Sequence, residues 1–85
     1  MAKVEIYTTA VCPFCINAKR LLTQKNVTFV EIRVDQDVAK REEMLVRAQG
    51  RRTVPQIFIN DQPVGGSDDL YALETAGKLD SLLRS

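Results

Sequence analysis

The chain has no histidine, no tryptophan and only two cysteines among its 85 residues. A zinc site usually takes four ligands, so a metal or iron–sulfur site would need a second chain or an outside thiol. An excess of one charge is also lacking: 12 Lys+Arg stand against 11 Asp+Glu, a net charge of +1. Nucleic-acid readers carry a basic surplus on one face, so neither nucleic acid nor an anionic membrane has an electrostatic basis as a partner. No apolar run approaches membrane length, and Met1 leads straight into a strand pattern, AKVEIY, with no secretory leader in view. Repeats, low-complexity tracts and linkers are absent too. The expectation is one domain over residues 1–85, in a reducing cytosol where persistent structural disulfides are uncommon.

Hydrophobic periodicity orders the chain. Lys3–Tyr7 reads as a strand, with Val4 and Ile6 alternating against Lys3 and Glu5. Pro13 suits the first position of a helix. Phe14, Ala18, Leu21 and Leu22 then carry one apolar face to about Lys25, and Asn26 ends it. Val27–Val34 reads as a second strand with Glu31 and Arg33 on a wet face. Asp37 is an N-cap for DVAKREEMLVRAQ, closed by Gly50. QIFI, the turn Asn60-Asp61 and QPV make a hairpin, with Pro63 tolerable only on an edge strand. SDDLYALETAG and KLDSLLR close the chain as helices. The order β-α-β-α-β-β-α-α predicts an α/β fold: a mixed four-stranded sheet with helices on both faces.

The two cysteines lie at the tip of the first strand, in VCPFC. At a helix start, Cys12 meets free backbone N–H groups and the positive end of the dipole, which favour the thiolate. A thiol at pKa ~8.5 is roughly 3% ionised at pH 7, and one at ~5 is about 99% ionised. Nucleophilicity falls with pKa, so part of the gain lies in a better leaving group. Lys19, one turn beyond Cys15, is a candidate to add positive field. Cys15 sits close to one turn on, within reach of Cys12, which is the spacing for attack and resolution. Two buried small hydrophobes, or half of a shared metal site, are the alternatives. A Cys-x-x-Cys on a β-α unit favours redox chemistry.

Two further stretches suit a ligand. In TVPQIFI, a proline before a strand marks a turn, either as an ordinary trans residue or as a cis bond exposing the backbone of Val54 for strand-like pairing. In GGSDDL, glycines lead into a helix N-terminus that suits a carboxylate, and Asp68 and Asp69 suit an ammonium group. Those aspartates also read simply as helix caps. Arg51 and Arg52 are candidates for a second carboxylate.

Together CPFC, TVP and GGSDDL, in this order and spacing, resemble the glutaredoxins, specifically the short bacterial dithiol type, over essentially the whole chain. The resemblance implies a thioredoxin-like fold, a cis bond at Pro55 and glutathione as cosubstrate, with no tightly bound cofactor. It implies Cys12 as nucleophile and site of the glutathione mixed disulfide, with Cys15 as resolving thiol. Thr53, Val54 and Pro55 match the segment that pairs with the cysteinyl backbone of glutathione. Gly66, Ser67 and Asp68 match the helix start that holds its γ-glutamyl end, with Asp69 a second acidic candidate. The implied activity is glutathione-dependent reduction of protein disulfides and glutathione mixed disulfides by a monomer.

Thr9 stands where the family commonly has lysine, Val11 where threonine is frequent, and Phe14 where CPYC has tyrosine. One lost charge-assisted contact of about 1.5–3 kcal/mol corresponds to roughly tenfold or more in affinity. Two other activities stay open at this level. One is a thioredoxin-type reductase, against which stand the missing tryptophan before Cys12 and the zwitterion-suited GGSDDL. The other is a carrier of a glutathione-ligated cluster between two chains, which Pro13 disfavours.

Overall fold

Alternation in VEIYT builds the centre of the molecule. Val4 and Ile6 point into one apolar cluster and Tyr7 into another, on opposite faces of β1 (Val4–Thr8). The computed structural model describes residues 2–84. After β1 come α1 (Pro13–Gln24), β2 (Phe29–Arg33), α2 (Val38–Arg47), β3 (Gln56–Ile59), β4 (Gln62–Gly65), α3 (Ser67–Thr75) and α4 (Leu79–Arg84). The sheet order is β2-β1-β3-β4. β1 runs parallel to β2, with Thr8 opposite Arg33, and antiparallel to β3. β3 and β4 form the hairpin.

Ala18, Leu21 and Leu22 of α1, Leu70 of α3, and Leu79 and Leu83 of α4 pack on Val4, Ile6, Ile57 and Ile59. Met44 and Ala48 cover Tyr7 and Phe58 on the other face. This is the thioredoxin-like arrangement, with helices on both faces.

Local chemistry sets the boundaries. α1 ends at Gln24 with Lys25 as its C-cap, and Asn26 takes a left-handed φ of 59°. The Asp37 carboxylate caps α2 by accepting from the N–H groups of Ala39 and Lys40. Asn60 and Asp61 both have positive φ, at 52° and 66°, as a two-residue hairpin turn of the primed type requires. Pro63 lies on the edge strand β4.

Three expectations need correction. β2 is shorter than Val27–Val34, and Val30 is 57% exposed on it. β2 is an edge strand, and an open groove of about 850 Å³ runs past Val30, Ile32, Lys40 and Glu43. α2 stops at Arg47 instead of running to Gln49, because Gln49 and Gly50 turn left-handed and the Gly50 N–H closes on Leu45. α3 ends at Thr75, before the residues Ala76 and Gly77 that the pattern had included.

Candidate active site at the tip of β1

Chain entry, helix start and disulfide meet at Cys12. Its extended backbone (φ −151°, ψ 95°) makes it the N-cap of α1, with Pro13 opening the helix. A disulfide joins it to Cys15, the Cα atoms 5.1 Å apart. The N–H of Cys15 donates to Cys12 Sγ at 3.0 Å, so the sulfur occupies the place of a capping oxygen. The first turn of α1 holds no acidic residue to oppose negative charge there. Cys12 keeps 7% of its surface exposed and Cys15 only 1%, so Cys12 is the less buried of the two. Val11 at 92%, Phe14 at 59% and Ile16 at 50%, the pair's neighbours in sequence, are exposed apolar residues.

The TVP segment stands beside this sulfur. The Val54 carbonyl oxygen lies 3.7 Å from Cys12 Sγ, and the Val54-Pro55 bond is cis. Buried Gln56 shapes the segment from below, its Nε2 donating to the Thr53 carbonyl at 2.9 Å and to Thr53 Oγ1 at 3.2 Å. A groove of about 400 Å³ continues from there, lined by Phe14, Arg51, Thr53, Val54, Pro55 and the GGSDDL residues Gly66, Ser67, Asp68 and Asp69. The structure thus gathers the sequence-proposed ligand residues other than Arg52 along one groove, whose Val54 lies beside Cys12.

Within that groove the acidic residues divide. Asp69 accepts from the N–H of Gly66 at 2.9 Å, and the Arg51 guanidinium sits 3.4 Å from the same carboxylate oxygen. Asp69 is therefore engaged as a helix cap and ion-pair partner. Asp68 is exposed in the first turn of α3, whose leading N–H groups have no intrahelical acceptor. Arg52 is exposed and is not among the residues lining the groove.

Lys19 is engaged on the sheet. Its ammonium pairs with Glu31 of β2 at 2.9 Å, and Thr8 Oγ1 donates to the same carboxylate oxygen at 2.7 Å. Those contacts, Lys19 first, hold the Glu31 carboxyl below its usual range. The Lys19 charge is thus answered by Glu31 on the sheet.

Sequence reasoning missed Gln56, Glu31 and Asp35. Asp35 accepts from the N–H of Ala10 at 3.1 Å. Arg33 grips it through two bonds of 2.7 and 2.6 Å and holds its carboxyl down at about 2. The only available signal was the alternation of Glu31 and Arg33, which marks a face of β2 without revealing partners.

A family model described as glutaredoxin matches residues 4–64. The chain belongs to the glutaredoxin family. It is 60% identical to a probable glutaredoxin of Synechocystis over 82 residues, covering 96% of this chain and 75% of the relative. To glutaredoxin 3 of Escherichia coli K12 it is 58% identical over 84 residues, 99% of this chain and all of that one. Among solved structures, the Brucella melitensis glutaredoxin superposes with a TM-score of 0.83 at 54% identity, over 95% of this chain and 87% of that one. A buckwheat glutaredoxin–glutathione complex gives a TM-score of 0.88 at 28% identity, over 98% and 77%. This glutaredoxin is accordingly a thiol–disulfide oxidoreductase, and Cys12 and Cys15 form its Cys-x-x-Cys motif. Among the described residues no helix is long and apolar enough to cross a membrane.

Proposed function

We propose that this glutaredoxin reduces glutathione mixed disulfides and protein disulfides with glutathione as electron donor. The observation that carries the reading is the continuity of the groove with Cys12: the Val54 peptide flanks the sulfur and the α3 start closes the far end. Its volume of about 400 Å³ lies in the range of small-molecule sites. An extended cysteinyl backbone pairs with Val54, a carboxylate meets the leading N–H groups of α3, and Asp68 takes the neighbouring ammonium. Arg51 offers a cation on the groove wall.

In the reduced enzyme the Cys12 thiolate attacks the glutathione sulfur of a mixed disulfide. The substrate's thiolate leaves and takes a proton, and Cys12 becomes glutathionylated. A second glutathione thiolate then attacks that glutathione sulfur, releasing oxidised glutathione and regenerating the Cys12 thiolate. With a protein disulfide, Cys12 attacks one sulfur, and Cys15 displaces the product thiol to give the disulfide seen in the structure. Two glutathiones reduce it again. The chain acts as a monomer in a reducing cytosol in this reading, with glutathione a cosubstrate and no resident cofactor.

The test is glutathione-dependent turnover of a mixed disulfide between glutathione and a small thiol, for wild type, Thr9→Lys and Cys12→Ser. Turnover by wild type, little improved by lysine and lost in Cys12→Ser, is the expected result. Negligible wild-type turnover with glutathione, alongside reduction of a protein disulfide by another dithiol, would replace the reading with a glutathione-independent reductase.

A further inference from the structure

The segment that delivers Cys12 has no regular structure between Thr9 and Val11, yet it is tied to β2 and its continuation at several points. Val34 N–H donates to the Thr8 carbonyl at 2.9 Å, and the Thr8 hydroxyl donates to Glu31. Two residues before the nucleophile, Ala10 N–H donates to Asp35 Oδ2. Asp35 is oriented by Arg33, whose Nε and one terminal nitrogen hold both of its oxygens. Glu31 also binds Lys19, so α1 itself is tied to the same strand.

We propose that Asp35 is a positioning residue for Cys12: its carboxylate, oriented by Arg33, fixes Ala10 and so keeps Cys12 in the N-cap geometry that gives its sulfur the Cys15 N–H. Cys12 holds that bond only while its backbone stays extended, and Ala10 is the last anchored residue before it. A through-space charge effect has the opposite sign. A carboxylate near a thiolate disfavours ionisation, so removing it for that reason alone would lower the thiol pKa. Loss of positioning removes a hydrogen bond to the ionised sulfur and raises the pKa. The two accounts therefore part at one substitution.

The inference rests on the dithiol chemistry of the site and not on glutathione, so its test contains none. In a Cys15→Ser background one thiol titrates, followed by the ultraviolet absorbance of the thiolate and by the rate of alkylation. Asp35→Ala removes both charge and acceptor; Asp35→Asn removes the charge but keeps a carbonyl oxygen for Ala10. The alanine variant is expected to raise the thiol pKa and slow alkylation below it roughly three- to tenfold, the size of losing one cap contact. The asparagine variant is expected to stay within about twofold of its parent. Exchange of the Ala10 amide, followed by NMR in the same variants, is expected to accelerate for alanine and not for asparagine. A lowered or unchanged pKa in Asp35→Ala, equal changes in both variants, or Ala10 exchange that ignores the substitution would each overturn the proposal. The exchange measurement needs only a folded protein, so it decides even if glutathione is not the natural donor.

Discussion

The amide of Cys15 donates to the sulfur of Cys12, so the residue assigned to resolve a mixed disulfide also polarises the sulfur that forms it. The donor is backbone, and Cys15→Ser leaves it in place. That variant is expected to keep kcat/KM on glutathione mixed disulfides within about threefold of wild type, under 1 kcal/mol of transition-state stabilisation. Reduction of protein disulfides that require the second thiol is expected to fail. Equal retention on both substrate types would remove the assigned role of Cys15.

Gly65 carries the tightest backbone position beside the groove. Its φ is +113°, and a β-carbon there would run into the Asp69 carboxylate and stand 2.8 Å from the Arg51 guanidinium. Gly65→Ala is expected to cost about 1–2 kcal/mol for the left-handed backbone and about 1 kcal/mol more as Asp69 is pushed off the Gly66 N–H. Gly50 has φ +90° with nothing within 4 Å, so Gly50→Ala bears the backbone cost alone. Chemical denaturation of both variants checks the order. Gly65→Ala should also weaken groove binding, since Arg51 and Asp69 move with it, and equal stabilities would count against the clash.

What the sequence made legible divides by the range of the interaction. Period and caps acted locally, so α1, the Asn60-Asp61 turn and the Asp37 cap were readable from a few neighbours each. Edge position is a property of the whole sheet, and Val30, apolar and alternating correctly, is more than half exposed on the edge strand β2. The candidate site was legible where its residues come as contiguous motifs, CPFC, TVP and GGSDDL. Its supports were not, because Lys19–Glu31, Ala10–Asp35 and Arg51–Asp69 span 12 to 25 residues. No spacing rule selects one partner among the chain's 11 acids.

Gln56 is nearly inaccessible at 1% exposure, an uncommon setting for a glutamine, and its amide holds both oxygens of Thr53. Replacing it with methionine keeps the volume and removes both donors. The expected loss is about 1–3 kcal/mol of stability, the cost of leaving a partly buried carbonyl unpaired. Because Thr53 lines the groove, KM for glutathione should rise more than kcat falls. Stability loss with an unchanged KM would confine Gln56 to the core.

On the far face of the sheet, Tyr7 donates its hydroxyl to Glu43 at 2.6 Å and accepts from Arg47 at 2.7 Å, while Arg47 pairs with Glu5. The Arg47 guanidinium also lies 4.1 Å over the Phe58 ring, and the Tyr7 and Phe58 rings meet edge to face at 5.6 Å. Burial, with the Glu43 bond second, pushes the Tyr7 hydroxyl from 10.0 up to about 12, against the opposing pull of Arg47. The folded state thus favours protonated tyrosine. This contribution is fully present below pH 10 and is lost as pH rises from 10 through 12. Tyr7→Phe lacks the group, so the stability gap between wild type and variant should narrow across that window. Lysines titrate in both proteins, and the difference isolates Tyr7. Denaturation curves at intervals from pH 8 to pH 12 decide it, because a gap that stays constant would mean that Tyr7 ionises alike in the folded and unfolded chain.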